Sequence, residues 1–191
     1  MSWTKADEEA LLAYKNKLVD SDNIGIKEQI KKQLIQDNDI IHILNNKELD
    51  EDEPDSYFGV NILPYYLVKP TQTDVQNFIC FEVGYEDLPR YNNTQKILEV
   101  TFYVLCEQKN ILYGNTGIAR HDLLSEMIIR DFNYMLSMAG KLTLVSNVPS
   151  VVDNNYSSRT LIFRVDTDNN LVKTKNGSAV IINKELGKLP R

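Results

Sequence analysis

The stretch Ile97-Leu98-Glu99-Val100-Thr101-Phe102-Tyr103-Val104-Leu105-Cys106 decides the fold class of this 191-residue chain. Every second residue, from Leu98 to Cys106, is apolar, and this alternation predicts a strand with one fully apolar face. The other face mixes the apolar Ile97 and Leu105 with polar residues, so we expect burial on both sides of the strand. One side is expected to pack on helices. The other side is expected to pack on a second layer of the same chain or on a neighbouring subunit.

The segment Asn77–Tyr85, which has its own alternating pattern, precedes this strand across a polar turn over residues 87–94. The two strands predict a long antiparallel β-hairpin. Helical spacing predicts helices over residues 5–19, 24–44 and 118–137, and strand patterns recur over residues 60–68, 142–145, 160–165 and 179–182. Asp37-Asn38-Asp39 is expected to break or kink the second helix.

This order of elements predicts an α+β protein. We expect an antiparallel or mixed β-sheet with helices packed on one face, the long β-hairpin and an extra N-terminal helix. The chain length suits a single domain over residues 1–191. Within that domain, residues 1–22 form an N-terminal helical extension, residues 24–166 the core and residues 167–191 a C-terminal extension.

The charge of the chain is unevenly distributed. Residues 1–60 hold 14 acidic against 7 basic side chains, whereas residues 61–191 hold 13 against 14. Much of the acidity lies in Glu48–Asp55, which we interpret as part of a solvated loop over residues 46–56. Local negative charge opposes binding to nucleic acid and to anionic lipid, and no basic patch interleaved with aromatic residues is present. No apolar run is long enough to span a membrane, and the N-terminus lacks the features of a secretory signal.

Residues suited to catalysis are few. The two histidines, His42 and His121, lie in predicted helices without a metal-ligand spacing. Cys80 and Cys106 lie in apolar strands and are interpreted as buried structural thiols. Neither a glycine-rich phosphate loop nor a nucleophile elbow occurs. We therefore expect no enzyme activity, no catalytic or metal-binding residues and no cofactor.

Three segments in this order resemble a known family. They are the helix over residues 24–45, the hairpin Asn77–Cys106, and the stretch Gly117-Ile118-Ala119-Arg120-His121-Asp122-Leu123-Leu124-Ser125-Glu126-Met127-Ile128. The arrangement, completed by the strand Ser158–Val165, resembles the tail terminator and tail-completion proteins of tailed bacteriophages. The resemblance covers about residues 24–166 and is one of pattern and order. The helix over residues 5–19 and the segment after Asp168 are additions to the family pattern.

The resemblance implies a structural virion protein of the tail or neck that assembles in the host cytoplasm. Such proteins form a homo-oligomeric ring, generally a hexamer, at the head-proximal end of the tail tube. The ring stops tail growth and joins the tail to the head, so its partners are the tail tube protein and the head–tail connector proteins. Glu99, Thr101 and Tyr103 are then the candidate subunit interface. The acidic loop is the candidate lumen-facing surface, past which DNA moves without sequence-specific binding; its residues are Asp50, Glu51, Asp52, Glu53 and Asp55.

Two alternatives to a tail terminator remain open. The first is a head-completion or connector component of the neck, which shares the ring arrangement. The second, of a different class, is an acidic binding or inhibitor protein that imitates DNA, which an array of carboxylates across the sheet surface would favour.

Overall fold

A computed structural model describes residues 4–15, 22–66, 77–86, 95–137, 140–151 and 155–168. The helices are α1 (Lys5–Lys15), α2 (Asp22–Gln36), α3 (Asn38–Leu44) and α4 (Arg120–Phe132). The strands are β1 (Ile62–Leu63), β2 (Phe78–Tyr85), β3 (Gln95–Glu107), β4 (Leu136–Ser137), β5 (Gly140–Lys141), β6 (Thr143–Val151) and β7 (Tyr156–Asp168). The predicted turn over residues 87–94, the predicted strand over residues 179–182 and residues 16–19 of the first predicted helix lie outside the described residues.

Five of the strands form one mixed sheet in the order β1-β2-β3-β7-β6. β1 runs parallel to β2, and the other three pairs are antiparallel. β4 and β5 form a separate two-stranded hairpin. The predicted α+β class and the mixed sheet are therefore confirmed, and so are the long hairpin β2–β3 and the N-terminal helix α1.

The apolar face of β3 lies at the centre of the core. Phe102 is fully buried, and its ring centroid lies 4.9 Å from that of Phe132 on α4 and 5.7 Å from that of Phe163 on β7. Phe81 on β2 lies 6.2 Å away on the opposite side. These four rings join three strands and a helix, so they connect elements that are distant in sequence.

Helices cover this face of the sheet, as predicted. On α2, Ile26, Ile30 and Leu34 recur every four residues and are buried. On α4, Leu124 and Ile128 do the same and lead into Phe132. All of them belong to one hydrophobic cluster with the strands. Spacing of three or four residues places side chains on one helix face, and this is why the sequence pattern located both helices correctly.

The predicted break in the second helix is confirmed and has a clear cause. The Asp37 side chain accepts hydrogen bonds from the backbone N–H groups of Asp39 and Ile40, so Asp37 is the N-cap of α3. α3 ends at Asn45, which adopts a left-handed backbone with φ of 49°. Asparagine tolerates this conformation better than most residues.

The predicted boundaries of four elements are wrong. The helix predicted over residues 118–137 ends at Phe132, because Tyr134 adopts a positive φ of 68° and the chain turns into β4. Of the strand predicted over residues 60–68, the described part (residues 60–66) contains only β1, immediately before Pro64, which lacks the N–H that a strand ladder needs. Residues 67 and 68 lie outside the described residues. β6 and β7 are longer than predicted, because their cross-strand pairing extends through polar residues such as Ser146 and Ser158.

Candidate functional site

The candidate interface residues Glu99, Thr101 and Tyr103 lie on the sheet face that points away from the helices. Glu99 Oε2 accepts a hydrogen bond of 3.0 Å from Arg164 Nε on β7. The same guanidinium lies 3.3 Å from a carboxylate oxygen of Glu86. Thr101 Oγ1 donates to Glu99 Oε1 at 3.4 Å and is itself almost buried. Glu99 and Thr101 are thus already engaged within the chain, and the charges on this part of the face are compensated.

Tyr103 belongs to a small apolar cluster on the same outer face. Its ring centroid lies 4.6 Å from that of Tyr66, at an interplanar angle of 60°. It packs beside the buried residues of the cluster, which are Leu63, Phe78, Cys80 and Leu105. The expectation that β3 is buried on both faces is therefore confirmed at this end of the strand. Tyr103 is half-buried by its own chain, which leaves only part of its ring for contact with another molecule.

A shallow groove runs along the other end of the outer face. It has a volume of about 440 Å³ and carries charges of both signs; its lining includes Glu86, Ile97, Lys141, Thr143, Val145, Arg164 and Asp166. In this part of the described sheet, acidic side chains are accompanied by Lys141 and Arg164, so the groove itself does not have the purely acidic character expected of a DNA mimic.

The edge strand β6 is the most exposed apolar feature of the described sheet. Val145, Val148 and Val151 are 49%, 53% and 70% exposed. The strand, TLVSNVPSV, contains no charged residue. Its inner edge pairs with β7, and among the described strands none pairs with its outer edge. Sequence reasoning missed this surface, because the predicted strand over residues 142–145 contained only its first part.

The acidic loop projects from the helical side of the molecule. Asp50, Glu51, Asp52, Glu53 and Asp55 are all exposed. The loop is nevertheless well defined: Asp50 Oδ1 accepts from the N–H of Asp52, Glu51 lies 2.9 Å from His42 Nδ1, and a short 3-10 helix follows over Pro54–Tyr57. The predicted solvated loop is thus confirmed in its exposure, and its orientation towards a lumen stays a prediction.

A network of three buried asparagines holds the base of this loop. Asn46 Nδ2 donates to Asn61 Oδ1 at 2.7 Å, and Asn61 Nδ2 donates to the carbonyl of Asn77 at 2.9 Å. Asn77 Nδ2 donates to the carbonyl of Leu44 at the end of α3. The network joins α3, the segment before β1 and the start of β2. The sequence did not indicate it, because isolated asparagines are usually interpreted as loop residues.

The first turn of α4 carries a polar cluster that joins it to the sheet. Asp122 Oδ1 accepts a hydrogen bond of 2.7 Å from Arg159 Nε on β7 and lies 3.3 Å from His121 Nε2. Arg159 also donates to Asn147 Oδ1 on β6. Burial lowers the pKa of His121, an effect that outweighs the nearby carboxylate. Burial also raises the pKa of the Cys106 thiol to about 12, so this thiol is protonated and unreactive at neutral pH.

The lowered pKa of His121 predicts a pH-dependent stability. The unfolded chain binds a proton at the ordinary histidine pKa of about 6.5, whereas the folded chain resists protonation to a lower pH. The contribution of His121 to the free energy of unfolding is therefore fully present above the unfolded-state pKa of about 6.5 and is lost as the pH falls from there towards the folded-state pKa. Urea unfolding of the wild type and of His121→Gln, followed from about pH 7.5 to about pH 5.5, should show a shallower loss of stability in the variant.

His42→Gln, which removes the exposed histidine, is the matched control for this experiment. Burial raises the pKa of Asp131, so Asp131 changes the stability with pH in the direction opposite to His121. This effect is the same in the wild type, His121→Gln and His42→Gln, so it does not affect the comparison. Equal slopes in the wild type and His121→Gln would contradict the prediction.

The fold and the surfaces just described define a class: an α+β protein with one sheet face covered by helices and one long uncharged sheet edge. Residues 28–165 match the sequence profile of the YomW family. Because this match covers more than two thirds of the chain, the chain belongs to the YomW family. The matched range nearly coincides with the core predicted over residues 24–166. No curated protein matches the chain.

Two further findings concern possible ligands and membranes. Over the described ranges, no group of three or more His, Cys, Asp or Glu side chains is placed to hold a metal ion. No helix within the same part of the chain is both long and apolar enough to cross a membrane.

Proposed function

We propose that this protein is a structural virion protein of a tailed phage, which forms a ring at the head-proximal end of the tail tube and joins the tail to the head. The observation that carries the proposal is the long, uncharged edge of β6 with its exposed valines. Edge strands are usually protected in monomeric proteins by charges, short length, proline, β-bulges or a covering segment. β6 has Pro149 and a bulge between Leu144 and Ser146, but it has no charge, spans nine residues and has no covering strand among the described residues. Its exposure therefore supports a function in protein–protein assembly.

The outer sheet face supports the same proposal. The described residues cover it only partly, and it combines half-buried aromatic residues with compensated charges, as at Tyr103 and at the Glu99–Arg164 pair. Interfaces of soluble oligomers favour tyrosine and arginine over lysine and glutamate. Glu99, Thr101 and Tyr103 remain our candidate subunit contact, now extended by Arg164.

A ring requires a head-to-tail interface in which two different surfaces of the chain meet. The β6 edge and the outer face are two different surfaces of the sheet, and the acidic loop follows α3, one of the helices on the other face. This separation would allow one surface to bind neighbours while the acidic loop faces the lumen. Negative charge at that position would reduce adhesion of DNA as it passes.

The proposal predicts a defined oligomer of the purified chain. Light scattering coupled to size-exclusion chromatography should give a mass of about 132 kDa for a closed hexamer of the 22.0 kDa chain. Negative-stain images of the same peak should show open rings. A mass that stays at 22.0 kDa at all protein concentrations would contradict a self-assembling ring, and would favour the acidic binding or inhibitor protein instead.

A head-completion or connector component of the neck would form a ring as well. Mixing purified rings with isolated tail tubes and with tail-free heads separates the two possibilities. A terminator should bind the tubes, and a connector should bind the heads.

A further inference from the structure

The two edges of the sheet differ in how they are protected. At the edge that carries β1, Lys27 reaches from α2 to donate to the carbonyl of Pro64, directly after β1, and lies 2.5 Å from Glu82 on β2. This edge therefore carries charge and is approached by other parts of the chain. The outer edge of β6 carries no charge, has three exposed valines and has no paired strand among the described residues. An additional strand can form backbone hydrogen bonds along this edge, except at Pro149, which has no N–H, and at the bulge between Leu144 and Ser146.

The chain beyond β7 has the composition and position to supply such a strand. β7 lies directly beside β6, and Thr143 at the start of β6 pairs with Arg164 near the end of β7. Residues 169–191 follow, and they include the apolar run Ala179-Val180-Ile181-Ile182. Ten residues separate Asp168 from this run, which allows a reach of at most about 33–36 Å. Adjacent strands lie only about 4.8 Å apart, so the run can reach beyond its own sheet to a neighbouring copy.

Charge favours contact between the C-terminal segment of one copy and the body of another. Residues 169–191 contain five basic side chains and one acidic side chain, a net charge of +4. The whole chain has a net charge of −6, so residues 1–168 carry −10. A basic segment linked to an acidic body is attracted to the acidic body of another copy, which raises the rate of encounter.

We propose that residues 179–182 of one copy add a strand to the outer edge of β6 in a neighbouring copy, and this proposal rests on the ring proposed above. Backbone hydrogen bonds align the added strand with β6. Val148 and Val151 are three residues apart and so lie on opposite faces of β6, where each contacts side chains on the corresponding face of the added strand. Each copy donates one segment and accepts another. The contact is therefore head-to-tail, which is the type of interface that closes into a ring.

Cross-linking between two different chains, each with one added surface cysteine, tests this proposal. Full-length Val148→Cys and Ile181→Cys are co-expressed with different affinity tags and treated with a short bismaleimide. Cys80 and Cys106 are buried and are not expected to react. A covalent species of about 44 kDa that carries both tags is expected, twice the mass of the 22.0 kDa chain. Val60→Cys replaces Val148→Cys as the matched control, because Val60 is exposed but lies beside β1 at the other edge of the sheet.

Three results would overturn the exchange of strands between copies. The first is an internal cross-link without dimers in the double variant Val148→Cys/Ile181→Cys, which would mean that the segment binds its own β6. The second is no cross-link between the co-expressed chains, and the third is an equal yield with Val60→Cys.

The mass of the wild type shows which of the two proposals fails. A ring-sized mass without the cross-link between positions 148 and 181 would overturn the strand exchange alone. A chain that stays at 22.0 kDa and does not cross-link would count against both proposals. Val148→Lys provides an independent readout: it should shift the wild-type oligomer to smaller species, because it places a charge on the accepting edge.

Discussion

Phe102→Ala is expected to lower the free energy of unfolding by about 3–5 kcal/mol, one of the two largest effects that we predict for a single substitution. Phe102 is fully buried on β3, between Phe81, Phe132 and Phe163. Removing its ring loses the transfer energy of the buried atoms and leaves a cavity that three strands and α4 cannot close without moving together. Single domains are stable by only about 5–15 kcal/mol, so the variant should unfold at a clearly lower urea concentration.

Urea unfolding followed by circular dichroism measures this effect. Leu136→Ala is the matched control, because Leu136 is 80% exposed, and truncating it should change the stability by no more than about 0.5 kcal/mol. Phe102→Leu should retain more stability than Phe102→Ala, since it keeps part of the buried volume. A loss below 1 kcal/mol for Phe102→Ala would show that the four rings do not form the centre of the core.

Asn61→Leu is the second substitution with a large expected effect: it should lower the free energy of unfolding by about 2–6 kcal/mol. The Asn61 side chain is fully buried and bridges Asn46 and the carbonyl of Asn77. Leucine has a similar volume but can neither donate nor accept a hydrogen bond. Each buried partner that loses its hydrogen bond costs about 1–3 kcal/mol, which gives the range above.

The same unfolding measurement, with Asn115→Leu as the control, tests this prediction. Asn115 is exposed in a turn, so its replacement should have little effect on stability. Because the network holds the base of the acidic loop, Asn61→Leu should also increase proteolytic cleavage within residues 46–56 under native conditions. Wild-type stability together with wild-type resistance to proteolysis would contradict a structural function of the network.

The sequence was most informative where a periodic pattern coincided with burial. The alternation in Ile97–Cys106 predicted β3 and its buried face, and the four-residue spacing located α2 and α4. It was least informative where pairing partners, and not local composition, determine structure. β6 extends through Ser146, Asn147, Pro149 and Ser150, residues typical of turns, because β7 supplies a partner for each of them beyond a bulge at Val145.

The candidate site shows the same division. Glu99, Thr101 and Tyr103 were correctly placed together on one face of a strand, because side chains of alternate residues share a face. Their intramolecular partners, Arg164 and Tyr66, could not be predicted, since both come from segments that are distant in sequence. The asparagine network was missed for the same reason: its members are 15 and 16 residues apart.

By itself, the sequence determined the α+β class, the long hairpin, the break at Asp37 and the exposure of the acidic loop. Each of these depends on local periodicity, capping or charge, which neighbouring residues determine. Only the tertiary structure decided the strand order, the insertion of β7 between β3 and β6, and therefore which edge of the sheet is left exposed. Strand order depends on contacts between distant segments, whose energies come from packing and burial, and these are absent from any local pattern.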